Sequence, residues 1–318
     1  MSIQKLGVAC AVRDDCGRLL LSKHDDREVW YLPTEKPNNG ELFTDTAIRA
    51  VMRTGIHAKI TGVVGLYYYQ GWQRMNILFE ARCMGGDVPQ HIIENGKDHF
   101  FALDDLPASY VCRQMVTDVL NDIVSPMRVI TIPDDKQNQS ERDFYQLWLT
   151  NVGSEEDTES TWVEHGIATI GLFYDLSKQK VITVPFSGKH DCPRPYVEKN
   201  SRHQPIWSLF RNSLNQNYDF DPKDFRLRGM IQFYRDTAHL PSIGCTVEFV
   251  FGTDINVNLP PAIPHDYDKE VTDLFWSNTN SEWFYDSKYV DFDLSRNSDD
   301  IWFAYSTLSY ELESILGD

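Results

Sequence analysis

The feature that most restricts how this chain can fold is an internal repeat in the order of its hydrophobic segments. Gly166-Ile-Ala-Thr-Ile-Gly-Leu-Phe answers Gly7-Val-Ala-Cys-Ala-Val, and Arg228-Gly229-Met-Ile-Gln-Phe-Tyr echoes Thr61-Gly62-Val-Val-Gly-Leu-Tyr. A repeat on this scale implies one architecture used twice. The length agrees, since 318 residues correspond to two domains at roughly 150 residues each.

The first copy opens with Gly7 to Arg13, the turn Asp14-Asp15-Cys16-Gly17 and the apolar run Arg18 to Lys23, which together predict a hairpin. After a loop through Trp30, Pro33, Pro37 and Asn38-Asn39-Gly40, Phe43, Ala47, Ala50 and Val51 recur at helical spacing until Gly55 ends the pattern. Two β-type runs follow, Ile60 to Tyr69 and Met75 to Met84. An amphipathic helix from Ala108 to about Val124 then presents Val111, Met115, Val119 and Ile123 on one face. The order is β-β-α-β-β-α. In the second copy the counterparts are Gly166 to Phe173, Lys180 to Phe186, a helix from Pro205 to Asn215, strands Leu227 to Arg235 and Gly244 to Thr253, and a terminal helix from Trp302 to Leu316. Phe249 and Phe251 lie on one face of their strand and are expected to fill core. The expected domains are 1–125 and 166–318. Residues 126–165 form a connecting segment that holds a strand-like run at Arg128 to Pro133, a helix around Phe144 to Thr150 and the acidic run Glu155-Glu156-Asp157-Thr158-Glu159.

Acidic residues outnumber basic ones 47 to 30, and the resulting charge of -17 repels phosphate backbones, which argues against broad nucleic-acid binding and favours basic protein partners. No apolar run reaches the roughly eighteen residues of a membrane helix and the N-terminus lacks a leader pattern, so the expectation is a cytoplasmic or nuclear protein with no membrane association. Six dispersed cysteines without a Cys-x-x-Cys pair suit free thiols. Phosphate-loop, dinucleotide-loop and nucleophile-elbow motifs are absent, and His24, His190, His203 and His239 are scattered.

Residues 5 to 124 resemble the Nudix hydrolase family. Trp30-Tyr31-Leu32-Pro33 fits the loop before the family signature, Glu41 fits its first glutamate, Arg49 lies eight positions later, and Gly55-Ile56 matches its closing pair. Phe100-Phe101-Ala102-Leu103-Asp104-Asp105-Leu106-Pro107 resembles the segment that introduces the last helix of the family. The resemblance implies a mixed α/β fold, two tandem α/β/α sandwiches with mixed sheets, the second assigned through the repeat alone. It also exposes departures. The opening glycine of the signature falls on Glu35, the glutamate after the arginine is Ala50, and Val51-Met52-Arg53-Thr54-Gly55 is one residue short and carries no carboxylate. In active relatives those helix glutamates hold magnesium, a hard ion that needs several oxygen ligands. Arg53 places a cation about where that metal would bind. The second copy has Arg211 on its helix and no acidic residue from Pro205 to Asn217.

These departures imply a catalytically inactive tandem protein, with no metal site and no cofactor, that binds a protein partner and, as a further option, a nucleotide. Two alternatives remain open: an atypical magnesium-dependent hydrolase of nucleoside-diphosphate derivatives using the remnants Glu41, Arg49, Glu80 and Glu94, and a module that binds RNA ends. Trp30, Tyr67, Tyr69 and Trp72 could form a wall on which a ligand base stacks or could simply pack the core. The aromatic segment Trp276, Trp283, Phe284 and Tyr285 is the candidate partner contact.

Overall fold

A computed structural model describes residues 2–23, 28–69, 74–84, 96–121, 129–132, 164–175, 180–186, 189–193, 204–218, 225–233, 243–254, 275–278, 302–306 and 312–314. The chain divides into two compact units. One comprises Gln4–His165, Asp236–Cys245 and Ile315–Asp318, and the other Met1–Ile3, Gly166–Arg235 and Thr246–Ser314. Both are mixed α/β structures.

In the first unit, β1 (Ser2–Arg13) is followed by β2 (Leu19–Lys23), β3 (Trp30–Tyr31), β4 (Thr34–Glu35), helix α1 (Phe43–Met52), β5 (Ala58–Tyr69), β6 (Arg74–Cys83), β7 (Asp98–Phe101), helix α2 (Arg113–Leu120) and β8 (Val129–Ile132). β1 runs parallel to β6 from Leu6↔Met75 to Arg13↔Arg82, β5 runs antiparallel to β6, and β8 lies parallel to β5. β2 pairs antiparallel with β1, β3 and β7. A sheet covered on both faces buries successive residues regardless of parity, which explains the unbroken apolar run in β1. One face carries Ala9, Ala11, Leu78, Tyr67 and Tyr69, packed against Met115, Val116 and Val119 of α2. The other parity includes Val8 and its cross-strand partner Glu35, on the side that α1 covers.

Helix α1 forms because Phe43, Ala47, Ala50 and Val51 make one apolar stripe, and all four are buried. The turn that follows its last residue, Met52, closes at Gly55, whose φ of 80° no β-carbon-bearing residue adopts readily; the Thr54 and Gly55 N–H groups close on the carbonyls of Val51 and Met52. Helix α2 spans eight residues, shorter than the sequence pattern suggested, because 108–111 form bends around an isolated bridge between Trp30 and Tyr110. β8 was expected in the connecting segment, yet it hydrogen-bonds to β5 as part of the first sheet. The expected helix at 144–150 and the acidic run 155–159 lie outside the described residues.

The second unit contains β9 (Glu164–Asp175), β10 (Lys180–Phe186), β11 (Lys189–Asp191), helix α3 (Ile206–Tyr218), β12 (Arg226–Phe233), β13 (Ile243–Asp254), β14 (Phe275–Asn278), β15 (Trp302–Ser306) and β16 (Leu312–Ser314). Phe249 and Phe251 are fully buried, as their spacing implied, and the Phe251 ring meets Phe210 of α3 at a tilt, with centroids 4.9 Å apart. The strand order repeats that of the first unit. β12 pairs antiparallel with β13 as β5 does with β6, and β10 pairs antiparallel with β9, β11 and β14 as β2 does with β1, β3 and β7. Two irregularities recur as well. The ladder slips between Ile60 and Gly62 in β5 and between Leu227 and Gly229 in β12, so Thr61 and Arg228 occupy the same bulge. The Cys10 N–H donates to the Pro33 carbonyl at 2.9 Å and the Gly171 N–H to the Pro193 carbonyl at 2.8 Å.

Two features depart from the sequence pattern. The described residues of Trp302 to Leu316 form strands where a helix was expected: Trp302–Ser306 is a strand parallel to β12, with Gly229↔Trp302, and Leu312–Ser314 returns antiparallel to it. It therefore answers β8, which lies parallel to β5, rather than α2. The Pro33 and Pro193 hydrogen bonds align Cys10 with Gly171, two residues from the register in which Gly7 answers Gly166. A two-residue slip preserves strand parity, so the hydrophobic pattern alone cannot detect it.

Candidate functional site

The loop before α1 and the helix itself bring together the remnants Glu41 and Arg49 together with Glu35, which the sequence offered only as a misplaced glycine. The Arg49 Nε and Nη2 donate to Glu41 Oε1 and Oε2, both at 2.8 Å, a bidentate pairing. Nη1 donates to Glu35 Oε2 at 3.1 Å and Nη2 to the Lys36 carbonyl at 2.7 Å. The second Glu35 oxygen faces Arg53, the residue that caps α1. Glu41 also accepts the Asn38 N–H at 2.7 Å, which ties the loop tip to the same carboxylate.

Glu35 is buried, its side chain 10% exposed, while the side chain of Arg53 is 69% exposed. The fold thus encloses the anion and leaves its counter-cation at the rim. Burial pushes the Glu41 carboxyl upward, but the Arg49 hydrogen bond, the Asn38 N–H, the Arg49 charge and Thr46 together hold it below the usual carboxylate range. The hydrogen bond to Glu41 raises Arg49 in turn. Asp45, the acidic residue of α1, is pushed up by burial and by the charge of Glu41. Burial lowers the Lys36 ammonium, with Glu35 partly offsetting the effect.

Two carboxylates and two guanidinium groups balance without any further ion. A magnesium ion would need oxygens from this same set. It would have to displace Arg49 from Glu41 or Arg53 from Glu35, against the repulsion of both cations, and α1 presents Ala50, Val51 and Met52 where further oxygens would be required. The residues present do not fit that metal.

The other candidates are dispersed. Glu80 lies on β6, where Ala11↔Glu80 and Gly62↔Glu80 put it on the α2 face, and it pairs with Arg13 at 2.9 Å. Glu41 and Glu80 therefore serve different faces of the sheet and do not form one site. Glu94 and Trp72 lie outside the described residues. Tyr67 and Tyr69 are fully buried, and the Tyr67 hydroxyl donates to Asp118 at 2.9 Å beneath α2. Neither ring offers a face to a ligand; both pack the core. Trp30 is half-buried, set edge-on to Phe101 at 4.9 Å, with the Lys23 ammonium 5.9 Å from the centre of its ring. Trp276 sits on β14 opposite Ile182, whereas Trp283, Phe284 and Tyr285 lie outside the described residues. No helix among the described residues is long and apolar enough to cross a membrane.

No protein-family model matches the chain, and no curated protein matches its sequence. Among solved structures, the chain is similar to an ADP-ribose pyrophosphatase from Streptococcus suis, at 22% identity and a TM-score of 0.32 over 41% of this chain and 98% of the other. A MutT Nudix hydrolase from Burkholderia pseudomallei is similar at 22% identity and a TM-score of 0.29, over 38% and 98% of the two chains. The Nudix domain of Shewanella oneidensis NrtR in complex with ADP-ribose is similar at 12% identity and a TM-score of 0.32, over 42% and 88%. Each likeness covers less than half of this chain, and nothing about activity is carried over.

Proposed function

We propose that the chain is a tandem of two Nudix-like units whose first unit is a catalytically silent scaffold for a protein partner. The observation that carries this reading is the closed set of ion pairs among Glu35, Glu41, Arg49 and Arg53. Glu35 and Glu41, the carboxylates that the loop brings against α1, are each held by a guanidinium, so the groups that remain from the signature serve to fix the loop onto the helix. A hydrolase using Glu41 with Glu80 is disfavoured, because the two carboxylates belong to opposite faces and each has its own arginine. The charge of -17 favours a basic protein over RNA.

Incubating the full chain with magnesium and a panel of nucleoside-diphosphate derivatives, with product separated by chromatography, tests the claim. No turnover above a protein-free control is expected. Turnover that disappears in Glu41→Gln would overturn it.

A further inference from the structure

The charged residues that the α1 network does not use meet at the other face of the first sheet. Arg13, Asp14, Asp15, Gly17, Thr61, Glu80 and Arg82 line an open cavity of about 640 Å³. That volume lies within the range of roughly 300–1,000 Å³ common for small-molecule sites. Its rim is fixed: Asp14 accepts the N–H groups of Cys16 at 3.0 Å and Arg18 at 2.8 Å, together with the Arg18 Nε at 2.7 Å, and Gly17 turns the chain at a φ of 76°. The β5 bulge contributes Thr61 to the lining. It leaves Thr61 outside the regular ladder and puts Gly62 opposite Glu80, where an added β-carbon would meet no atom within 4 Å.

The charges specify what would fill this space. Arg13 is committed to Glu80 and to the Val119 carbonyl, and Asp14 to Arg18. Arg82 and Asp15 make no ion pair among the described residues, so the cavity keeps one cation and one anion with free valence. Among the described residues its lining holds three carboxylates against two guanidinium groups, which opposes a polyphosphate. A molecule bearing one carboxylate and one ammonium group complements both.

We propose that this cavity binds a zwitterionic α-amino acid or the free ends of a short peptide, with its carboxylate on Arg82 and its ammonium on Asp15. The claim is independent of the metal question at α1. The test uses calorimetry on the intact chain with the common L-amino acids and with dipeptides, each dipeptide also in N-acetylated and C-amidated form. Inorganic phosphate and ADP serve as polyanion probes, and circular dichroism verifies folding of each variant. At least one free amino acid or dipeptide should bind. Its affinity should fall at least tenfold when either terminus is blocked and in Arg82→Ala and Asp15→Ala, while Gly62→Leu, which sets a bulky side chain beside Glu80 without changing charge, should weaken it as well. Binding by amino acids but not dipeptides assigns the site to free amino acids, and the reverse assigns it to peptide ends. No binding at millimolar concentration, binding unchanged in Arg82→Ala and Asp15→Ala, or competition by ADP at equal strength would overturn the proposal.

Discussion

Replacing Arg49 by methionine keeps the length and apolar stem of the side chain and removes its hydrogen-bonding head. The wild-type guanidinium makes four hydrogen bonds of 2.7 to 3.1 Å, three of them to carboxylate oxygens. Stranding a fully buried charge costs about 3–5 kcal/mol, whereas an exposed pair is worth about 0.2–1 kcal/mol. The Arg49 side chain is 31% exposed and Glu35 keeps Arg53, so an intermediate loss of about 2–3 kcal/mol follows for Arg49→Met. A unit of this size loses about 2–4 °C of melting temperature per kcal/mol, which translates to roughly 4–12 °C. Lysine should rescue little, since an ammonium cannot bridge both Glu41 oxygens as the planar fork does. The assay is thermal unfolding of the full chain at neutral pH, with Glu41→Gln and the double variant completing a cycle whose coupling should be about 1–2 kcal/mol. A loss below about 0.5 kcal/mol for Arg49→Met, the level of an ordinary surface change, would refute the view that these pairs hold the loop to the helix.

The remaining expectations concern neighbouring chemistry. Glu41 has a folded-state value below its unfolded one, so its contribution is complete above the usual carboxylate value of about 4.3 and is lost as pH falls through the folded value. The stability gap between wild type and Glu41→Gln, followed by urea unfolding across pH, should therefore be flat near neutrality and close in acid. Tyr67→Phe removes the buried bond to Asp118 and should cost about 1–2 kcal/mol in the same assay, with Asp118→Ala costing more because the unfilled space adds to the lost bond. Burial, and then the nearby Glu80 charge, push the Cys10 thiol far up, while Cys16 is exposed; mass spectrometry after brief alkylation should find Cys16 modified and Cys10 intact until the protein is unfolded.

What could be read from the sequence was governed by short-range periodicity. The α1 stripe of Phe43, Ala47, Ala50 and Val51 and the long runs of β5 and β6 declared themselves because each pattern is complete within one segment. The end of the chain did not. Trp302, Phe303 and Tyr305 are aromatic residues suited to a strand, but their placement depends on pairing with Gly229 and its neighbours far away in sequence, and the order of elements in the first half suggested a helix instead. Tyr67 and Tyr69 were ambiguous for a related reason: alternation assigns them a face and cannot tell whether that face is covered. The site was half legible. Glu41 and Arg49 stood at the signature spacing, whereas Glu35 read as a departure although it is the buried anion to which both Arg49 and Arg53 turn. No local pattern announced the cavity, whose residues come from three strands and a turn.

Crystals of the full chain soaked in manganese and examined by anomalous diffraction address the network itself. The expected result is no anomalous peak within bonding distance of Glu35 or Glu41, with Arg49 still bidentate on Glu41 and Arg53 still on Glu35. A manganese ion bound to either carboxylate, with an arginine displaced from it, would contradict the account.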